Sequence, residues 1–295
     1  MMYYRRKVLL ALLQGLGGNV SATDFQKLLF LFCTKQKKPA FEFVPYFYGC
    51  FSFQSYADKR ALTHYGLLKK DENRWVIKEP GDYSELLDKE DYNTLKEVVA
   101  EHGSKSGNKL MRYVYLQFPY FAINSRANKT LLSKNEWDKI EAQKPTARQP
   151  CFFTIGYEGR SIDGYLNELV KHGVKVLYDV RKNALSMKYG FSKIQLKDSV
   201  EKLGMEYRHL PELGIDSSAR KDLHSQADYN RLFEKYEKDV LLKQSHSVDV
   251  IAERVKKSGR IALTCFEKDP AQCHRTRVAN AVTMKVGAKH PCVEL

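Results

Sequence analysis

At 295 residues, with 43% hydrophobic and 12% aromatic content, the chain is long enough for two domains and too apolar to be disordered throughout. Its formal net charge of +14 is spread over both halves and points to a polyanionic partner, since each Lys or Arg set against a phosphate releases a counterion. Six cysteines, none in a CxxC pair, argue against a disulfide framework and for free thiols in a reducing compartment. The apolar run at residues 8–13 is too short for a secretory signal, and no stretch reaches the roughly 18 apolar residues of a membrane span. A soluble, cytoplasmic protein with no membrane partner is therefore expected.

In chain order, the first helix is predicted over residues 3–14 and is stopped by Gly15, Gly17 and Gly18. Ser21 or Thr23 can cap a second helix, whose Phe25, Leu28, Leu29 and Phe32 share one face. An aromatic, extended stretch (FEFVPYFYGCFSF) follows, and Ser55 can cap a third helix that stops near Gly66. A charged turn over 69–74 then leads to the strand-like Trp75-Val76-Ile77. Three helices, a turn and a strand are the order of a winged helix, in which one helix enters the major groove while the wing touches backbone. Lys59, Arg60 and His64 on the third helix, with Lys69, Lys70 and Arg74 around the turn, are the expected phosphate contacts, DNA being favoured over RNA. The same fold also serves as a protein-binding module, so a protein partner for the N-terminal domain stays open.

Residues 83–103 read as an amphipathic helix closing a domain over 1–103. The segment 104–149, rich in Tyr and Phe, reads as a connector whose rings pack more readily than they stack on bases. Its polar, Pro-bounded end (144–150) is the expected linker. From 151 to 295 the pattern changes. Short apolar strands (CFFTIGY, VKVLYDV, MEYRHL, RIALTCF) alternate with helical periodicity, which predicts an α/β domain with a mainly parallel, Rossmann-like sheet and helices on both faces.

Ligands of such sheets bind beyond the carboxyl ends of the strands, and polar residues gather there in this sequence. The first strand runs into Tyr157, Glu158 and Arg160, and the second into Asp179 and Arg181 followed by Ser186, Lys188 and Tyr189. The fourth runs into Glu267 and then Cys273-His274-Arg275, which opens the last helix. Asp179 and Glu267 follow apolar strands, where a carboxylate suits general-base work; with Glu158 they are the candidate catalytic residues. The alternatives, which the functional reading outweighs, are a structural pairing of Asp179 with Arg181 and a helix-dipole role for Glu267. Tyr157, Arg160, Arg181, Ser186, Lys188, Tyr189, Cys273, His274 and Arg275 are the candidate substrate and phosphate contacts. A Cys273–His274 nucleophilic pair is disfavoured, because adjacent residues usually point in different directions. Cys265, Cys273 and His274 lack a fourth ligand and a recognisable spacing, so no metal is expected. Neither a GxGxxG nor a P-loop motif is present, so no nucleotide cofactor is expected either.

The second half resembles the family known as domain of unknown function 488. The resemblance rests on TIGYEGRSIDGYLNELVKHGVKVLYDVR, SMKYGFSK, MEYRHLPELG and ALTCFEKDPAQCHR, which together cover residues 151–280. The family usually places a small polar residue or His after TIG and a Pro soon after DVR, where this chain has Tyr157 and Asn183-Ala184. It implies a compact α/β domain with Asp179, Arg181, Glu267, Cys273, His274 and Arg275 around one pocket. The first half is similar to winged-helix modules of antitoxin-like proteins, through VPYFYGCFS. Taken together, these readings predict a DNA-binding enzyme acting on a nucleobase or its N-glycosidic bond, a glycosylase-like hydrolase of repair or anti-phage defence. A metal-dependent nuclease and a non-catalytic, ligand-sensing DNA-binding regulator are the alternatives.

Overall fold

A computed structural model describes residues 2–146, 151–220, 223–258 and 260–295. The chain divides into two compact units, Met1–Lys144 and Pro145–Leu295. Residues 147–150 of the expected linker lie outside the described residues.

The first unit opens with α1 (Tyr4–Gly15), β1 (Asn19–Ser21) and α2 (Ala22–Lys35). Ser21 caps α2, its hydroxyl accepting from the Asp24 amide at 3.1 Å. The predicted stripe of Phe25, Leu28, Leu29 and Phe32 is buried, and Phe25 stacks on Trp75 with ring centroids 4.2 Å apart. A hairpin of β2 (Val44–Tyr46) and β3 (Gly49–Phe51) precedes α3 (Phe53–His64). Ser52, not Ser55, is the cap of α3: its hydroxyl accepts from the Ser55 amide, while the Ser55 hydroxyl turns back to the Ser52 carbonyl. The helix therefore starts three residues earlier than a Ser55 cap would place it. β4 (Arg74–Val76) pairs antiparallel with β1, and a Leu68–Ile77 bridge flanks the turn between α3 and β4. The three-residue β1 was too short to show any alternation in the sequence.

The segment expected as a connector is instead part of this unit. After α4 (Lys89–His102), the helix α5 (Gly107–Gln117) buries Leu110 and Val114 in the same core as α1 and α2. Phe118 and Phe121 set their edges against Phe30 of that core. The short α6 (Lys134–Glu141) ends the unit, opened by a capping box between Ser133 and Glu136. The aromatic residues of 104–149 are thus packing residues, as weighed from the sequence.

The second unit is α/β, with a five-stranded parallel sheet flanked by helices. Its elements are β5 (Cys151–Gly156), α7 (Ile162–Lys171), β6 (Val176–Asp179), α8 (Lys193–Lys202) and β7 (Glu206–His209). Then come α9 (Gln226–Tyr236), α10 (Ser245–Ser258), β8 (Arg260–Cys265), α11 (His274–Val286) and β9 (Cys292–Glu294). The strand order is β7-β6-β8-β5-β9, all parallel, with β9 a short exposed edge strand absent from the sequence-based expectation. Phe152, Val176, Tyr178, Ile261 and Leu263 pack from one sheet face against α9, α10 and α11. Alternation turns Phe153, Ile155, Leu177 and Ala262 to the other face, where Phe153 meets His172 at the end of α7. Burial on both faces explains why these strands read as continuous apolar runs. Among the described residues, no helix is long and apolar enough to cross a membrane.

Candidate functional site

The three central strands, β5, β6 and β8, end at Gly156, Asp179 and Cys265, side by side in the sheet. Beyond those ends lies a cleft of about 490 Å³. Tyr157, Arg181, Ser186, Arg220, Glu267 and His274 are among the residues that line it. Two glycines make the close approach of these strand ends possible. A Cβ on Gly156 would stand 1.9 Å from the Glu267 carbonyl oxygen, and one on Gly214 would stand 2.0 Å from the Lys182 amide nitrogen.

Asp179 has no solvent exposure and does not line the cleft. Its Oδ1 accepts from Arg181 Nε (2.8 Å) and the Arg181 amide (3.2 Å), and its Oδ2 accepts from Arg181 Nη2 (2.5 Å) and the Tyr207 hydroxyl (2.6 Å). Four donors saturate the carboxylate, which leaves it no lone pair for a substrate proton. The role expected of Asp179 as the acting carboxylate is thus replaced by the structural pairing that was its alternative. Arg181 is the beneficiary, because Nη1 also donates to the Tyr157 hydroxyl and the Phe191 carbonyl, both at 2.9 Å. Burial alone would favour a neutral guanidinium, but the hydrogen bonds and charge of Asp179 outweigh it and hold Arg181 protonated. The result is a fixed cation on the cleft wall.

On the opposite side, Glu267 is the meeting point. Its Oε1 pairs with Arg220 Nη1, while its Oε2 accepts from Cys273 Sγ (3.0 Å) and Cys265 Sγ (3.2 Å). His274 Nε2 lies 2.9 Å from the Val180 carbonyl, which can only accept, so that nitrogen carries the proton. Its Nδ1 then accepts from Arg220 Nη2 at 2.6 Å and lies 3.7 Å from Cys265 Sγ. The expectation that Cys273 and His274 diverge fails for a local reason. Cys273 is the N-cap of α11, with extended φ −123° and ψ 130°, so its side chain turns toward the same point as that of the helical His274. Burial alone would raise the Cys265 thiol, but Cys273 and the charges of Arg220 and Arg275 bring it below its ordinary value. Burial and the neighbouring Cys265 push Cys273 up.

The fourth donor that sequence spacing lacked beside Cys265, Cys273 and His274 is Glu267, two residues past Cys265. Ligand atoms of all four lie within 4.8 Å of one another. The expected absence of a fourth ligand is thus corrected by the fold.

Other candidates fall outside the cleft. Arg275 is wholly buried and braces the loop after β8, donating to the Glu267 and Lys268 carbonyls and pairing with Glu294 of β9 at 2.5 Å. Arg160 donates to the Leu295 carbonyl, and exposed Glu158 accepts from the Lys268 amide. Lys188 reaches the Tyr157 carbonyl at 3.3 Å, and neither it nor Tyr189 lines the cleft. Cys273 sits behind the lining, reaching it through Glu267. Sequence reasoning missed Arg220, Lys182, Asp216 and Tyr207. Arg220 and Asp216 sit in the long β7–α9 connection, and no strand end or motif flags them.

Residues 161–282 match the family model described as Domain of unknown function DUF488. This bears out the resemblance of the second half. The matched span begins at the cap of α7 and ends within α11. Arg181, Arg220 and the Cys265–His274 cluster are inside it, whereas Tyr157 and all of β5 precede it. No curated protein matches the chain.

In the first unit, Arg60, His64, Lys69, Lys70 and Arg74 are exposed around α3 and the turn before β4. Lys59 is not among them. It is 5% exposed, and its ammonium donates to the carbonyls of Asp71 (2.7 Å) and Arg74 (2.8 Å), with burial lowering its pKa. It ties α3 to the turn and spends two of its three ammonium hydrogens on those carbonyls. A 590 Å³ hollow there is lined by Arg60, His64 and Lys70, but also by Asp71 and Glu72.

Proposed function

We propose that the second unit hydrolyses a nucleic-acid substrate at a nucleobase or its N-glycosidic bond, and that the first unit binds the DNA. The observation that carries this reading is the composition of the strand-end cleft. Its volume falls in the range of small-molecule sites, and it combines Tyr157 and Phe266 with a fixed guanidinium and one partly shielded carboxylate. Two carboxylates line it. Asp216 is exposed and turned onto Ser218, which leaves Glu267, 15% exposed, as the acting group. In the glycosidic reaction water adds at C1′, the C1′–N bond breaks, and the base leaves with a proton. Glu267 accepts the proton of that water, exposed Lys182 faces a flanking phosphate, and the buried Arg181 contributes its fixed positive charge from the cleft wall.

The test uses end-labelled duplexes carrying ordinary, damaged and phage-type modified bases, with and without Mg²⁺, and with and without alkali before the gel. Alkali-dependent breaks formed without Mg²⁺ are expected, reduced about 10²- to 10⁴-fold in Glu267→Gln. Breaks that need Mg²⁺ and no alkali would transfer the proposal to phosphodiester cleavage. Binding with no change to any duplex would make the protein a regulator.

A further inference from the structure

The cluster around Glu267 has the chemistry of a soft-metal site. We propose that Cys265, Cys273, His274 and Glu267 bind a Zn²⁺ ion. Zinc–ligand bonds of about 2.0–2.3 Å in a tetrahedron imply ligand–ligand edges of about 3.3–3.8 Å. The cluster already has separations of 3.0 Å (Cys273–Glu267), 3.2 Å (Cys265–Glu267) and 3.7 Å (Cys265–His274). Two sulfurs, one imidazole and one carboxylate select zinc over the all-oxygen cations magnesium and calcium.

A second observation, independent of the donors, is the support behind them. The Val180 carbonyl accepts the proton of His274 Nε2 and so leaves Nδ1 as the unprotonated nitrogen, 3.7 Å from Cys265 Sγ and now accepting from Arg220, the tautomer a metal-bound histidine needs. Arg275 clamps the carbonyls of Glu267 and Lys268, which fixes the short loop that carries two of the ligands relative to the other two. Cys265, Cys273 and His274 are 2%, 0% and 1% exposed, whereas Glu267 is 15% exposed. Glu267 is therefore the ligand open to exchange with water, and three buried ligands with one exchangeable position are the pattern of a catalytic zinc.

Arg220 now supplies the positive charge at this point, contacting both Glu267 and His274 Nδ1. The metal takes over both contacts and turns the guanidinium out toward the cleft. Each thiol gives up its proton to the solvent on binding, so uptake is accompanied by proton release. The inference stands on the cluster alone; with zinc bound, Glu267 is a ligand first and acts as a base in the cleft only when water displaces it from the metal.

The experiment strips the purified full-length protein of metal and titrates it with Zn²⁺ and, separately, Co²⁺. One equivalent per chain, proton release in weak buffer, and a thiolate-to-cobalt charge-transfer band in the near ultraviolet are expected. Cys273→Ser and His274→Ala should lose the band. Cys33→Ser, in the other unit, should keep it and serves as a control for general thiol loss. Arg220→Ala should bind at least as tightly as the unaltered chain, and it leaves every ligand in place if a ligand variant fails to fold. Uptake by Arg220→Ala alone would overturn the proposal and make Arg220 the resident cation. So would a cobalt band that survives in both ligand variants, or no uptake in any form.

Discussion

Both units bury charged side chains, but they put them to different uses. In the first, Lys27 is 1% exposed and donates to the Tyr48 carbonyl, and Lys59 ties α3 to the turn before β4. Asp58, wholly buried, is held by Arg5 and Arg6 of α1. These groups join one element to another, and their polar atoms end on backbone or on each other. In the second unit the buried Asp179 stands at the end of β6 and its partner Arg181 lines a cavity, as does the ion pair of Glu267 and Arg220 beyond β8. Burial of charge alone is therefore a weak sign of a site. Burial at a strand end, with one member of each pair turned to open space, is a stronger one, because such a charge has been desolvated without being wholly neutralised.

The largest effect that would test this contrast is Asp179→Ala. It leaves Arg181 buried without its carboxylate and the Tyr207 hydroxyl without its acceptor, at a cost of about 3–5 kcal/mol. Denaturant unfolding should show that loss in the second unit's transition alone. A variant as stable as the parent but inactive would instead return Asp179 to a catalytic role.

A smaller effect is expected in the first unit, where Lys59→Met leaves the Asp71 and Arg74 carbonyls without their donor. That should cost about 1–3 kcal/mol. Lys69→Ala with Lys70→Ala should leave stability unchanged but weaken DNA binding, with the salt slope falling by about one for each phosphate no longer neutralised. Salt-dependent anisotropy separates the two cases. Equal stability losses in both variants would erase the distinction drawn between the buried and exposed lysines.

The smallest effect concerns an exposed pair. Arg112 holds Glu136 well below the usual carboxylate range, at about 2, helped by the amide and hydroxyl of Ser133. A carboxylate lowered in the folded state contributes stability above its unfolded pKa and loses it as pH falls through the folded value. Glu136→Gln should therefore equal the parent in stability near pH 2 and be slightly less stable above pH 5. Carboxyl titration by NMR would show the low midpoint directly, and an ordinary midpoint would remove the effect.

Much of the α/β half was legible because parallel strands buried on both faces must be apolar throughout. TIG, LYD and LTC therefore announce both the strands and the strand ends. The site position followed from the same signal. The assignment of Asp179 did not, because a carboxylate after an apolar strand reads the same whether its lone pairs are free or filled. Lys59 posed the same difficulty on α3, where the buried lysine is followed directly by the exposed Arg60. The Cys273–His274 convergence was hidden because it depends on an N-cap dihedral rather than on residue spacing.

The sequence by itself determined the two-part organisation, the parallel α/β class and the place where polar groups would gather, since these follow from local periodicity and chain punctuation. Tertiary structure alone decided which charges are spent and which are presented. It closed Asp179 around Arg181, brought Arg220 from a remote loop to Glu267, and made Glu267 the fourth donor beside two thiols and an imidazole. Those outcomes depend on distances between residues far apart in the chain, which local preferences do not encode.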